Sequence, residues 1–314
     1  MESSPNMFES SISSIEEYIS FVFALTSEST QARPSIKKWA PVFRGQSNKQ
    51  WELLPTIARG REFSCIRTIL NEERNLIEDA KFRLPSVFKN DLNVAPVNLL
   101  ALLQHYGIPT RLLDTTSSPL VALYFACQRT ATDDDTDGEV IVFKRPLRSI
   151  ANYPVINAIA DSYRFASTSI TFLSSFYETV LQQSYFLEQV SSLRAVHETA
   201  AQGGQWMEEC CKQPLFVRAQ ERLERQRLQH GQFILFPNRI VPEDHEFPAH
   251  FELIIDPIPK NNAELVLHRI IVPRDSKPTL LYNLEILGIS KATLFADNID
   301  YISEQIVSDA KRRL

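Results

Sequence analysis

Three short stretches of this 314-residue chain concentrate side chains able to do chemistry against an apolar background. The first is "VFRGQSNKQWELLPTIAR", Val42 to Arg59, in which a strand-like run meets Arg44, Gly45 and Gln46. A guanidinium is a planar, permanently charged fork that suits phosphate or carboxylate. A glycine beside it lets a flat ligand lie against the main chain. The competing reading is an arginine ion-paired within the fold and a glycine serving a turn. The second stretch, "QHYGIPTRLLDTTSSP", offers Gln104, His105, Tyr106, Thr110, Arg111, Asp114, Thr115, Thr116, Ser117 and Ser118 between a helix end and a helix start. The free N–H groups of a helix start favour anions. Against this, His105 can serve as a helix cap, Arg111 and Asp114 can pair with each other, and Ser118 can be the cap itself. The density of hydrogen-bonding groups still favours a site. The third stretch, "RQRLQHGQF", places Gln229 and Gly231 ahead of an apolar strand, with His230 expected to alternate outward. The mixed-charge "RAQERLERQR" before it reads as a solvated helix face.

Other chemistries find little support. The six histidines show no metal-ligand spacing, and no phosphate-binding glycine loop, dinucleotide fingerprint or nucleophile elbow is present. No metal is expected. The acidic loop with Asp133, Asp134, Asp135 and Asp137 reads as a solvated turn, which makes a metal-dependent nuclease a poor candidate.

The elements that must position these residues are legible from periodicity and punctuation. Ser13 and Glu16 have capping-box spacing ahead of an amphipathic helix over about 13–30. "APVFRG" reads as a strand, "ILNEERNLIEDAKFRL" as a helix stopped at Pro85, and "NVAPVNLLALLQHYG" as a helix from Pro96 to Gly107. "IPTRLLD" is short and extended, and Ser118-Pro119 signals the start of "PLVALYFACQRT". "EVIVFKRP", "QFILFP", "HFELIIDP" and "AELVLHRIIVP" read as strands. Residues of about 155–212 read as a helical insertion, with a break at "QGGQ", 202–205. The tail reads as a helix, a turn at Gly288 and a last helix. We expect one α+β domain over 1–314, with a motif core at about 41–145 and C-terminal strands and helices at about 213–310. A mixed central β-sheet flanked by helices should bring the polar clusters together at strand and helix ends.

Hydrophobic residues make up 44%, ample for a core, and a net charge of -5 argues against a nucleic-acid coat protein. Cys65, Cys127, Cys210 and Cys211 form no C-x-x-C and read as reduced thiols. With a polar, acidic N-terminus and no apolar run near the ~20 residues of a membrane span, a cytoplasmic home without membrane attachment is expected.

"FRGQSNKQWELLPTIAR", "LLQHYGIPTRLLDTTSSPLVALYFAC", "RQRLQHGQF" and "LEILGISKATLFADNIDYI" together resemble the FRG domain, a bacterial and phage family named for its Phe-Arg-Gly motif. The resemblance spans roughly residues 10–305. It departs where the family often has Trp after Leu-Leu-Asp and this chain has Thr115, so an aromatic platform there is missing or supplied elsewhere. The strand ending in Arg44-Gly45, the turn "DTTSSPLVALYFA" and "QRLQHGQFILF" are also similar in layout to the three motifs of ADP-ribosyltransferases. That similarity implies an ADP-ribosyltransferase-like core with NAD as substrate. Arg44 and Arg111 would grip phosphate, Gly45 would hold the nicotinamide amide, Tyr106 would stack, and Asp114 would place a hydroxyl or stabilise positive charge. His105 and Gln229 join the catalytic candidates. Gln46, Thr110, Thr115, Thr116, Ser117 and Gly231 join the cofactor-binding ones. The third motif normally supplies a glutamate; here Glu221 and Glu224 lie upstream, and Gln229 is the polar residue nearest the glycine. The function so implied is an NAD-consuming transferase or glycohydrolase acting as a bacterial toxin or anti-phage effector. Its partners would include a protein or nucleic-acid acceptor and an antitoxin or immunity protein. The alternative is a non-catalytic module that senses a nucleotide or nucleic-acid phosphate.

Overall fold

The β-branched, alternating stretches become strands because each can bury one or both faces. The computed structural model describes residues 9–31, 39–59, 69–88, 94–128, 136–146, 153–165, 171–220, 224–244 and 248–296. The strands are β1 (Glu9–Ser11), β2 (Trp39–Gln46), β3 (Leu112–Thr116), β4 (Gly138–Pro146), β5 (Thr171–Phe172), β6 (Leu215–Val217), β7 (Gly231–Leu235), β8 (Arg239–Val241), β9 (His250–Glu252) and β10 (Val266–Val272). Among the described residues, seven of them form one sheet in the order β1-β10-β4-β2-β3-β7-β6, and β5-β9-β8 form a small second one. The large sheet is mixed, since β1 runs parallel to β10 while the other pairs are antiparallel. The Phe-Arg-Gly stretch, "IPTRLLD", "EVIVFK" and "QFILFP" therefore share one sheet, as expected, whereas "HFELIIDP" supplies β9 of the small sheet.

The helices are α1 (Ile15–Gln31), α2 (Glu73–Arg83), α3 (Pro85–Phe88), α4 (Pro96–His105), α5 (Pro119–Cys127), α6 (Tyr153–Ala160), α7 (Leu173–Val180), α8 (Val190–Val196), α9 (Ala200–Cys211), α10 (Glu224–Leu228), α11 (Lys277–Ile286) and α12 (Lys291–Leu294). Local chemistry sets several boundaries. Ser118 caps α5 by accepting from Val121 N at 3.4 Å, and Pro119 occupies the first turn, where its missing N–H costs nothing. Gly107 and Gly288 leave α4 and α11 with φ of 79° and 80°. Pro85 ends α2 but also opens the one-turn α3.

One expectation fails. The "QGGQ" stretch does not break the helical region, because α9 runs straight through it from a Thr199–Gln202 capping box. Close packing explains the glycines: a Cβ on Gly203 would lie 2.1 Å from ring carbons of Tyr177 on α7. They let α7 and α9 approach, at the expense of helix propensity.

Three apolar clusters hold the sheet. Tyr18 of α1, Val121 and Leu123 of α5 and Leu280 of α11 pack with Phe43, Val140 and Ile270. The loop residues Leu53, Ile57, Ile255 and Ile258 pack on the opposite face, against Val42, Leu113, Ile141 and Ile234. Helices α4, α6, α7 and α9 bury Leu100, Ile159, Phe176 and Met207 with Leu112 and Leu235. Much of the helical insertion is thus core. Among the described residues no helix is long and apolar enough to cross a membrane. Cys65, Glu221, Asp133, Asp134, Asp135 and most of the expected last helix lie outside the described residues.

Candidate functional site

The site begins as a notch in the large sheet. Strand β2 is in register with β4 over all eight of its residues, but with β3 at one pair, Phe43 and Thr116. Arg44 follows that pair, and its Nη1 donates to the Asp114 main-chain oxygen at 2.6 Å, while Nε lies 3.4 Å from Gln46 Oε1. Among the described residues no carboxylate pairs with it. Burial pushes the guanidinium pKa down to about 10, with Asp114 raising it and Arg59 lowering it further, so Arg44 stays charged at neutral pH.

Around this cation lies a cleft of about 250 Å³, lined from β2 by Phe43, Arg44 and Gly45, from α4 by Ala101, Gln104 and His105, and from β3 by Asp114, Thr115 and Thr116. Phe125 of α5, Arg225, Gln226 and Gln229 of α10 and its turn, and Gly231, Gln232 and Phe233 of β7 complete it. That volume lies just under the ~300–1,000 Å³ usual for ligand pockets. A cavity of this size suits one end of an extended ligand. Arg44 and Arg225 face one carboxylate, Asp114, among the lining residues, so the cleft favours an anion.

Asp114 is oriented by a relay: Gln104 Nε2 donates to its Oδ1 at 2.7 Å, and Thr110 Oγ1 donates to Gln104 Oε1 at 2.5 Å. Thr110 lies outside the cleft and acts through Gln104. Thr116 Oγ1 donates to the Gln229 main-chain oxygen at 2.7 Å and accepts from Ser118 N at 3.0 Å, tying β3 to the turn before β7. Gln229 Nε2 donates to Leu294 O at 3.1 Å, and Arg225 stacks 4.6 Å from the Phe295 ring centre.

Several expected residues belong elsewhere. Arg111 is fully buried and forks onto Glu73, with Nε 2.8 Å from Oε1 and Nη2 on Oε2, while Nη1 reaches Phe236 O and Asn238 Oδ1 at 3.3 Å. It is a core ion pair, neither a phosphate grip nor a partner of Asp114. Gln46 is buried too, donating to Glu139 Oε1 at 2.7 Å and Trp51 O at 2.8 Å. Glu139 also takes Lys260 and the fork of Arg269, so Gln46 is consumed by a structural network. Tyr106 is exposed and packs edge-on against His105, outside the cleft. Ser117 is exposed, and its N–H meets His230 O at 3.1 Å. His230 does not alternate along a strand: it sits in the turn before β7 with φ of 49°, a left-handed conformation uncommon outside glycine. Gly45 lines the cleft, but α5 explains its missing side chain, since a Cβ there would lie 1.8 Å from Ala122 O.

The cleft thus gathers Arg44, Gly45, His105, Asp114, Thr115, Thr116, Gln229 and Gly231 from the three motifs, and leaves out Gln46, Tyr106, Thr110, Arg111 and Ser117. The motif reading missed Gln232, Arg225, Gln226 and the aromatic walls Phe43, Phe125 and Phe233. Strand alternation in "QFILF" carried the signal for Gln232, which shares a face with Ile234. Among the described residues no cluster of His, Cys, Asp and Glu is placed to hold a metal ion.

The comparisons with known proteins give one match, at the family level. No curated protein and no solved structure matches the chain. The FRG domain family model matches residues 40–135, a span that includes all but the first residue of β2 together with α4, β3 and α5, with α10 and β7 outside it. The first two polar clusters and the notch between them therefore fall within the matched span, and this chain carries an FRG domain.

Proposed function

We propose that the cleft binds NAD and breaks its nicotinamide–ribose bond, passing the ADP-ribosyl group to water or to a protein or nucleic-acid acceptor. The observation that carries this reading is Arg44: a cation held on the cleft wall, bonded to a main-chain oxygen and, among the described residues, without a carboxylate of its own. Charge in that position calls for an anionic ligand such as a pyrophosphate. The motif layout shared with ADP-ribosyltransferases supports the choice of NAD.

The chemistry asks little of the protein. The electron pair of the C–N bond leaves with nicotinamide, which departs as a neutral molecule and needs no proton. The ribose becomes an oxocarbenium ion, and the incoming hydroxyl loses its proton after attack. Catalysis then rests on positioning and on negative charge near the ribose. Among the described residues that line the cleft, Asp114, held by Gln104, is the carboxylate available for it. His105 lines the same wall and is the candidate to take the proton. Action as a toxin or anti-phage effector follows from the family resemblance. It predicts that induced expression arrests bacterial growth while cellular NAD falls.

One observation favours a second reading, a nucleotide sensor without chemistry: among the described residues no glutamate lines the cleft. Purified protein incubated with NAD separates the two. Release of nicotinamide supports the enzyme. Saturable, Arg44-dependent binding of ADP-ribose with NAD left intact supports the sensor.

A further inference from the structure

Two arginines line the cleft, and they reach it from different walls. Arg44 comes from β2 and is bonded to the Asp114 main-chain oxygen at 2.6 Å. Arg225 comes from α10, half-buried, with its guanidinium carbon 4.6 Å from the centre of the Phe295 ring. Arginines that serve the fold are paired: Arg111, Arg164, Arg239 and Arg269 each fork onto a carboxylate. Among the described residues Arg225 meets no carboxylate and no other hydrogen-bond acceptor for its side chain. The ring occupies its face, and the N–H donors along its edge stay available to a ligand. Its place is fixed without them. Phe295 also packs edge-on against Phe125 of α5, with ring centres 6.3 Å apart at 77°. Gln229, in the turn after α10, donates through Nε2 to Leu294 O at 3.1 Å. The end of α12 thus ties α10 to α5 at the rim of the cleft. Against these two cations stands one lining carboxylate among the described residues, Asp114, whose Oδ1 is taken by Gln104 at 2.7 Å.

We propose that Arg225 is the second cation of the ligand grip, so that the site selects two linked phosphoryl groups over a single phosphate, and that Phe295 is its positioning residue. The inference rests on the proposed nucleotide-binding role of the cleft and names the substrate class, a nucleoside diphosphate or a dinucleotide. One phosphate meets one guanidinium through a fork of N–H donors. A diphosphate carries two such anionic groups on one bridging oxygen, one for each wall. Both α10 and α12 lie outside residues 40–135, so this contact is no part of the family match.

Dissociation constants for AMP, ADP and ADP-ribose are measured by calorimetry at fixed salt for wild type, Arg225→Met, Arg225→Lys, Phe295→Leu and Phe295→Tyr, with melting temperatures in parallel. Methionine can still pack on the Phe295 ring but carries no charge. Wild type should bind ADP about tenfold or more tighter than AMP, the worth of one charge-assisted contact. In Arg225→Met that preference should fall below about threefold, and Arg225→Lys should recover part of it, since a point charge lacks the fork. Phe295→Leu keeps the guanidinium but removes its platform, so its preference should lie between those of wild type and Arg225→Met, and Phe295→Tyr should restore it. The preference is a ratio read on folded protein, so a loss of stability cannot imitate it. Equal binding of ADP and AMP by wild type would overturn the second cation, as would a full preference in Arg225→Met. A full preference in Phe295→Leu would remove Phe295 as the positioning residue. Arg44-dependent binding of ADP-ribose that ignores Arg225 would defeat this inference alone. Failure of wild type to bind ADP-ribose would defeat the parent reading with it.

Discussion

Replacing Arg111 with methionine should cost stability and leave the site chemistry in place in whatever fraction stays folded. The guanidinium is completely buried and makes four hydrogen bonds, two of them to Glu73, itself 3% exposed. Removing it strands a carboxylate in the core, a change that costs about 3–5 kcal/mol. With a melting shift of roughly 2–4 °C per kcal/mol for large domains, Arg111→Met should melt about 10 °C below wild type. The companion Glu73→Leu should fall similarly. The double variant should regain much of the loss, because an apolar pair of similar volume is neutral or better by about 1–4 kcal/mol. Calorimetry or a dye-based melt of the four proteins measures this directly. A single variant that melts with wild type yet no longer binds ADP-ribose would refute the argument and return Arg111 to the role of a phosphate grip.

The proposed anion grip has a pH signature: Arg44 must be protonated, and burial lowers its pKa to about 10, so affinity for ADP-ribose should be flat from pH 6 to 8 and fall as pH approaches 10. Ligand binding would raise that pKa, and Arg44→Ala should show weak binding with no such fall; a wild-type profile that is already falling at neutral pH would point to another group. The glycine pair of α9 gives a test of sign. Ala is the better helix former by about 1 kcal/mol, yet Gly203→Ala would place a Cβ 2.1 Å from the Tyr177 ring. Overpacking of this kind typically costs about 1–3 kcal/mol, so the variant should melt lower; a higher melting temperature would restore the helix-break reading.

What the sequence disclosed was what short-range chemistry determines. Ser118-Pro119 and Gly107 mark helix ends through contacts within a turn, and both were legible. Six of the ten strands were legible, because runs such as "VFRG" and "QFILF" cannot satisfy a helical period, while the two- and three-residue strands β1, β5, β6 and β8 are too short to show one. Long-range partnership was not. Arg111 looked available beside Asp114, but its carboxylate is Glu73, on a helix 38 positions earlier. Gln46 likewise finds Glu139 at a separation of 93 positions. Glycine was ambiguous in the same way: Gly203 and Gly204 read as a break because the neighbour that requires them, α7, lies far back in the chain. Thr115 was singled out in its motif, while Gln232, inside the third stretch, was passed over until pairing of β3 with β7 placed it opposite.

The central claim is that Arg44 holds the anionic part of NAD while the cleft releases nicotinamide. Nicotinamide release should therefore be measured for wild type, Arg44→Ala and Arg44→Lys at matched folded concentration, with melting temperatures in parallel. Each bond lost between the guanidinium and a charged ligand group is worth on the order of 1.5–3 kcal/mol, and a lysine cannot reproduce the planar fork. The account predicts release by wild type, near-complete loss in Arg44→Ala without a large drop in melting temperature, and partial recovery in Arg44→Lys. Wild-type protein that releases no nicotinamide, or an Arg44→Ala variant that releases it at the wild-type rate, would contradict it.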